Sequence, residues 1–423
     1  MLKSCLVEEG IDCAVRHLNL LLLKYLKVST YEALGELYGF NDFLFSGLIE
    51  ERPVAPDQLD AMHRFIQRTY DRVDLRFRAF MDVSNYEAFA LRMRDEIVPA
   101  YLDDCLSQVL EAEPTLVGMT CMYDQTMPSV ALGKRIKQAR PNMLIALGGY
   151  ALEPPVGPEI MAAFPWIDAV VVGEGEDKIA PLARASMDRN LLDGIPGLVY
   201  RRPDGSVARS VSPATRVFMD ASPTPDFDDW FDDVATMKAE HQIEISTPIL
   251  PVESSRGCWW GQANHCVFCG IDDETMRYRV KAPGRVKADL HALAARYGVR
   301  NFRFSDYILP HEYYKTLLPD LAAGEERFGL HYEMKSNIKV EHADILAAAG
   351  AYAIQPGIES FSTPVLKKMT KGVTGIQNVL TIKLLQERGI TCLYNVLYGF
   401  PTDEEEDYQS LVRLIPLLYH LAP

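Results

Sequence analysis

The sequence predicts a two-part α/β protein, a doubly wound open sheet followed by a partial (β/α)6 barrel. Three observations lead there. Apolar runs alternate with amphipathic helices through the first half, the pattern of parallel strands covered on both faces. A proline-rich, acidic stretch, "DASPTPDFDDWFDD", then breaks the rhythm, and a second βα series begins at Pro251. At 423 residues the chain is also too long for one ordinary core.

Taken in order, "MLKSCLVEEG" reads as a helix closed by Gly10, and "CAVRHLNL" as a strand. "SQVLEAEPTLVGMTCM" gives a helix, a turn and a buried strand ending near Thr120. "PSVALGKRIKQARPN" is an amphipathic helix stopped by Pro141, and "MLIALGGY" a strand ending on Gly148-Gly149. The helix "GPEIMAAFPWI" and the strand "DAVVVGEGE" follow. "GLVYRRPDGSVARS" is a hairpin turning on Asp204-Gly205, and the acidic stretch after it suits an irregular connector.

In the second half the strand candidates are "PVESSR", "NFRFSD", "HYEMKSN", "AYAIQPGIE" and "TCLYNVLYG". The helices "RVKADLHALAARYG" and "VEHADILAAAG" between them each end on glycine. Both chain ends look abrupt, with a helix where a doubly wound domain has its first strand and only five barrel strands before Pro423. The expectation is a truncated chain.

Composition excludes several classes. An apolar fraction of 48% and a charged fraction of 24% are those of a soluble globular protein. The formal charge of −15 argues against nucleic acid or an anionic membrane as partner. No uninterrupted apolar run is long enough to span a bilayer, "LNLLLLKYL" stopping far short, and the N-terminus has acids where a secretory signal would be apolar. Eight cysteines in so long a chain form no disulfide framework, which points to a reducing, cytoplasmic setting. Cys5, Cys13, Cys105, Cys121 and Cys392 are scattered and read as buried small hydrophobes.

Ligands of open α/β sheets sit beyond the carboxyl ends of the strands. Those ends carry Thr120, Gly148, Gly149, Gly173, Glu174 and Gly175, where glycine lets a ligand approach the backbone or simply serves a sharp turn. "GEGEDK" resembles part of a dinucleotide fingerprint, but Lys178 stands at its third glycine. In the barrel half, strand ends carry Asp306, Glu333, Lys335, Asn337, Glu359 and Asn395, and a barrel places its chemistry at that face.

The sharpest motif is "SSRGCWWGQANHCVFCGID", with Cys258, Cys266 and Cys269 spaced C-x7-C-x2-C. A disulfide would leave one thiol over. Zinc would want a fourth ligand, for which His265 is the candidate, although neighbouring residues rarely both reach one metal. An iron–sulfur cluster would take three thiolates on three of four irons, with Phe268 shielding one side. Trp259 and Trp260 could shield it too, or pack at the barrel mouth.

With "RGCWWG" before it and "FCG" closing it, this spacing resembles radical S-adenosylmethionine (SAM) enzymes. More narrowly it is similar to the cobalamin-binding members called RiPP maturation radical SAM protein 1, which act in ribosomal peptide natural-product maturation. The likeness extends to "GGYALEPPVGPEI", "VVVGEGE", "TPDFDDWF", "YEMKSN", "IQPGIESFSTPVLKKMTKGVTGIQNV" and "NVLYGFP". The departure from the common C-x3-C-x2-C is characteristic of this subgroup.

The resemblance implies a Rossmann-like cobalamin-binding domain over 1–190 with its first strand missing, a hairpin and linker over 191–250, and a radical SAM core over 251–423 with its last strand missing. It implies a [4Fe-4S] cluster on Cys258, Cys266 and Cys269, with SAM on the fourth iron. Glu333 and Lys335 would hold the charged or ribose parts of SAM, with Glu359 and Asp306 as further contacts. Cobalamin would sit on Thr120, Gly148, Gly149, Gly173, Glu174 and Gly175. The usual D-x-H-x-x-G motif for the lower cobalt ligand is absent there. Its near match, Asp289-Leu290-His291 with Ala294 in place of glycine, falls on a helix after the cluster loop and reads as a solvated face.

The implied activity is radical C-methylation of an unactivated carbon in a ribosomally made precursor peptide, with electrons from a flavodoxin or ferredoxin. Alternatives are a radical epimerase or cyclase without methyl transfer, and an inactive fragment that only binds peptide or a partner.

Overall fold

The computed structural model describes residues 1–35, 37, 39–50, 55–70, 86–211, 216–246, 249–272, 274–400 and 402–421. The chain divides into two units, Met1–Val217 with Pro225–Ile245, and Phe218–Thr224 with Ser246–Pro423.

The first unit is built on a five-stranded sheet in the order β1 (Leu116–Thr120), β2 (Leu144–Gly148), β3 (Ala169–Val171), β4 (Leu198–Arg201), β5 (Val207–Arg209). The first three strands are parallel, with Leu116 opposite Leu144, Thr120 opposite Gly148, and Ala146 opposite Ala169. The continuous apolar run of β2 has a direct cause. Ile145 and Leu147 point into a core with Val130 and Ile136, while Leu144 and Ala146 point into a second core with Leu182 and Leu198. A strand covered on both faces has no solvent side on which to place polar residues.

β4 and β5 pair antiparallel, and β4 joins β3 with Val171 opposite Leu198. The hairpin placed in the connector by sequence thus extends this sheet, because Leu198 and Tyr200 are buried against it. Two expectations are corrected. No strand forms at Cys13–Leu20; Val15 and His17 donate their backbone N–H groups to Asp229 and Asp233 at 3.0 and 2.9 Å, and Leu18–Lys24 coils into tight helical turns. The acidic "connector" is a 14-residue helix from Asp228 to His241. Trp230, Val234 and Met237 recur at helical spacing and pack on Leu20 and Leu23, while Asp228 and Asp229 suit the positive N-terminal end. Cys105, Cys121 and Cys392 are buried as expected, whereas Cys5 and Cys13 are half-buried.

The second unit carries five parallel strands in the order β12-β11-β10-β9-β6, namely Thr391–Cys392, Ala351–Pro356, Gly329–Met334, Asn301–Phe304 and Leu250–Val252. They follow chain order across the sheet with helices between them, as a (β/α) barrel does. Phe302, Leu330, Tyr332 and Ile354 are fully buried within it. A separate antiparallel pair, β7 (Ser255–Arg256) and β8 (Arg279–Val280), stands between β6 and β9 in the chain. Among the described residues no helix is long and apolar enough to cross a membrane.

Candidate active site

The β7–β8 pair closes the base of the loop that carries the three cysteines. Cys258 N–H donates to Met276 O at 3.1 Å, and Gly261 N–H donates to Cys258 Sγ at 3.2 Å. A turn in which Cys269 N–H donates to Cys266 O at 2.9 Å brings the last two cysteines together. The loop is tied to residues 369–372 by Val267 N–H to Met369 O at 3.2 Å and Trp260 Nε1–H to Thr370 O at 3.2 Å. Gly372, at φ +68°, is demanded here, since a Cβ would lie 2.1 Å from Trp260 Cζ2.

All eight cysteines are free thiols. Burial pushes the Cys266 thiol up, Lys371 and then Lys335 pull it back down, and Cys258 and Cys269 add a smaller upward push. The three thiols are therefore within electrostatic range of one another, with two ammonium groups beside them. Lys335 is only 7% exposed. Burial first, and Lys371 second, lower it to about 8, against the pull of Cys266 and Cys258. Its Nζ lies 3.5 Å from the Trp260 ring centre and donates to Lys371 O. Lys371 Nζ meets Glu359 Oε1 at 2.8 Å and stands 5.2 Å from the Phe268 ring. Glu359 holds a left-handed φ of 57°, a strain of the kind that collects at functional sites. Glu333 is pushed up by burial, with Arg303 opposing and Glu359 adding to the rise.

Cys258, Cys266, Cys269, Phe268, Glu333, Lys335 and Glu359 thus lie at one end of the parallel strands. Asp306 follows β9 at the same strand ends, and its carboxylate is taken up by the chain below the loop. It is 1% exposed, accepting from Ser254 N–H at 2.8 Å, Ser255 Oγ at 2.9 Å and Ser254 Oγ. Burial raises its carboxyl to about 6 against the pull of those hydrogen bonds. It braces the chain that leads into the cysteine loop. Tyr313, which donates to Lys281 O at 2.7 Å and Ser254 O at 3.3 Å, braces the same point. Lys371 is the residue that sequence reasoning passed over, although it sits inside the stretch "KKMTKG"; its spacing carries no signal until the fold sets it against Glu359.

Asp289 is not on a solvated face. It is buried and holds Thr224 Oγ1 at 2.6 Å, Arg285 Nε at 3.2 Å and Lys281 Nζ at 3.3 Å, while His291 pairs with Glu326 at 2.7 Å.

In the first unit, Thr120, Gly148, Gly149, Gly173, Glu174 and Gly175 gather at the carboxyl ends of β1–β3. Gly149 is set by the fold, as a Cβ would lie 2.5 Å from Cys121 O. Gly173 N–H donates to Glu153 at 2.8 Å, and Glu174 accepts from Val217 N–H at 2.6 Å. Lys178 is fully buried and donates to Glu174 O and to Asp177 at 2.9 Å, folding the "GEGEDK" turn on itself. The same edge exposes Met122, Tyr150 and Tyr123, the last by 79%.

A barrel-type sheet with a three-thiol loop and adjacent cations at its strand ends defines a class. Residues 252–415 match the domain of the Radical SAM superfamily. Such a domain carries a [4Fe-4S] cluster and SAM. The donor set fits that group in kind: three free thiols, one of them accepting a backbone N–H, with Lys371 and Lys335 opposing the burial that raises the Cys266 thiol.

Relatives include an uncharacterized methyltransferase of Pyrococcus horikoshii, 26% identical over 73% of this chain and 66% of its own length. Another is the anaerobic magnesium-protoporphyrin IX monomethyl ester cyclase of Rubrivivax gelatinosus, 24% identical over 74% of this chain and 56% of its own. The chain spans between half and two thirds of the length of these relatives. In fold it is similar to OxsB, a cobalamin-dependent SAM radical enzyme, with a TM-score of 0.57, 19% identity, and 77% and 50% of the two chains covered. It is similar also to TsrM, a radical SAM methyltransferase from Kitasatospora setae solved with cobalamin and a [4Fe-4S] cluster, with a TM-score of 0.55, 21% identity, and 86% and 71% covered.

Proposed function

We propose that the protein is a cobalamin-dependent radical SAM methyltransferase that modifies an unactivated carbon of a ribosomally made peptide, drawing electrons from a flavodoxin- or ferredoxin-type donor in the cytoplasm. The observation that carries the radical SAM part is the meeting of three free thiols with the Lys335–Lys371–Glu359 group at one end of the parallel strands. Methyl transfer is supported by the methyltransferases among the relatives and structural neighbours. The peptide substrate rests on the resemblance of stretches from "GGYALEPPVGPEI" to "NVLYGFP" to the peptide-maturation family.

Cobalamin fits the strand-end edge of the first unit. Met122, Tyr123 and Tyr150 expose apolar surface there beside Thr120 and the glycines, a surface a large planar ligand would cover. Tyr123 also holds a left-handed φ of 42°. When bound, the three groups supply one-electron cleavage of SAM, a radical that removes hydrogen from carbon, and a transferable methyl group.

The chain's own residues do the rest. Cys258, Cys266 and Cys269 would hold the cluster. Glu333, Lys335 and Glu359 would orient the charged and ribose parts of SAM. Trp260 and Phe268 cover the polar group with apolar carbon and so limit water around it. A radical rearrangement without methyl transfer is the second reading, favoured by the cyclase and the 4'-phospho-dehydrooxetanocin synthase among the relatives.

Anaerobic reconstitution with iron and sulfide, followed by electron paramagnetic resonance, tests the cluster; stoichiometric zinc without a four-iron signal refutes it. With methyl-labelled SAM and candidate peptides, label in the peptide supports methyl transfer. 5′-Deoxyadenosine formed with no label transferred favours the rearrangement.

A further inference from the structure

A cleft of about 410 Å³ opens beside the cysteine loop, lined by Trp259, Tyr278, His311, Glu312 and Asn337. Its lining comes from four places, one of them Tyr278 just before β8. Trp259 follows Cys258 directly, His311 and Glu312 follow β9, and Asn337 follows β10 at the same strand ends as Lys335. Trp259 is fixed by its indole N–H, which donates to Leu309 O at 3.2 Å. Its ring meets Trp260 edge-on at 89°, with centroids 6.5 Å apart, and lies beside His311 with centroids 6.3 Å apart. One tryptophan thus serves the lysine group and the other walls the cleft.

The polar ends of Tyr278, His311, Glu312 and Asn337 make no hydrogen bond to any described residue. Four hydrogen-bonding groups thus line one cleft without bonding one another, and three of them, His311, Glu312 and Asn337, are exposed and open to a ligand. We propose that this cleft receives the substrate group to be modified, and that it selects a basic side chain, an ammonium or guanidinium set against the aromatic wall and paired with Glu312. This rests on the peptide-modifying reading above and adds the substrate class.

Three observations point to that chemistry. Glu312 is the one carboxylate among the described lining residues, and its charge reaches Tyr278 on another part of the wall, whose hydroxyl burial pushes up first and Glu312 second. The faces of Trp259 and Tyr278 can hold the carbon stem and attract the charge. Among the described residues no lysine or arginine lines the cleft, and Lys339 and Lys315 act, with His311, on His342 outside the lining. Size narrows the choice further. At about 410 Å³ the cleft stands near the lower end of the roughly 300–1,000 Å³ of small-ligand sites, room for one side chain with its backbone but not for an enclosed tetrapyrrole.

The test uses the anaerobically reconstituted full chain and three probes, the N-acetyl amides of arginine, glutamine and glutamate, titrated by calorimetry. The arginine probe binds on the order of tenfold more tightly than the glutamine probe, the difference expected of one charge-assisted hydrogen bond. Glu312→Gln removes that preference while the visible absorption of the cluster stays unchanged. Equal or tighter binding of the glutamate probe overturns the proposal, as does no binding of arginine or a preference that survives Glu312→Gln. Arginine binding by a chain that transfers no methyl group to any basic peptide leaves this subsite standing and refutes the methyltransferase reading. Methyl transfer to a peptide without basic residues does the reverse.

Discussion

Gly372→Ala isolates the support that the fold gives to Trp260. The new Cβ would lie 2.1 and 2.2 Å from Trp260 Cζ2 and Cη2, whereas carbon atoms pack at about 3.5–4.0 Å. The indole must retreat by roughly 1.5 Å, yet it is held by Nε1–H to Thr370 O at 3.2 Å and lies 3.5 Å from the Lys335 ammonium. Retreat weakens one or both. A left-handed alanine costs about 1–2 kcal/mol. A lost cation–π contact adds about 0.5–2 kcal/mol, and a lost hydrogen bond about 0.5–1.5 kcal/mol. The variant is therefore destabilised by about 2–5 kcal/mol.

Gly298→Ala is the control. Gly298 has the same φ of +68° but nothing within 4 Å of the added Cβ, so it reports backbone strain alone. Thermal unfolding of both variants, with iron and sulfide counted after reconstitution, separates the two terms. Gly372→Ala melts lower than Gly298→Ala and retains less iron. If the two variants melt together and load equal iron, the reasoning about Trp260 fails.

Three further predictions follow from the sites. Serine at Cys258, Cys266 or Cys269 abolishes the four-iron signal, whereas Cys392→Ser, in a buried position away from the loop, leaves it intact. Asp306 binds its proton more tightly in the folded chain, at about 6 against 3.8, so its contribution to stability is complete below about pH 4 and is lost as pH rises through about 6. Asp306→Asn removes that dependence, about 3 kcal/mol between pH 4 and 7, read as the difference between wild-type and variant unfolding free energies across that range; parallel curves would contradict it. Tyr123→Ala leaves the first unit's melting temperature unchanged, because the side chain is 79% exposed, and lowers cobalamin retention on the order of tenfold, measured from bound corrinoid absorbance.

Much of the fold is legible because local pattern and burial coincide. "MLIALGGY" reads as a strand since β2 faces a core on each side, and the Asp204-Gly205 turn announces its hairpin. The cysteine spacing likewise points to a metal loop without any structure. The segments that misled are those whose conformation depends on a distant partner. Cys13–Leu20 has strand-like composition, but its backbone N–H groups are taken by Asp229 and Asp233, more than 200 positions away. The helix Asp228–His241 hides behind its prolines and acids until Leu20 and Leu23 cover its apolar stripe.

The site divides in the same way. By itself the sequence determined the three thiols, the polar strand ends and the alternation of strands and helices, because spacing and periodicity are properties of neighbours along the chain. Only the tertiary structure decided that Lys371 pairs with Glu359, that Lys335 rests on Trp260, and that Asp306 holds Ser254 and Ser255 instead of facing the loop. Those are contacts across 12 to 75 positions, set by which strand ends the sheet brings together. A charge or a ring acquires its role from the side chain opposite it, and periodicity carries no record of that partner.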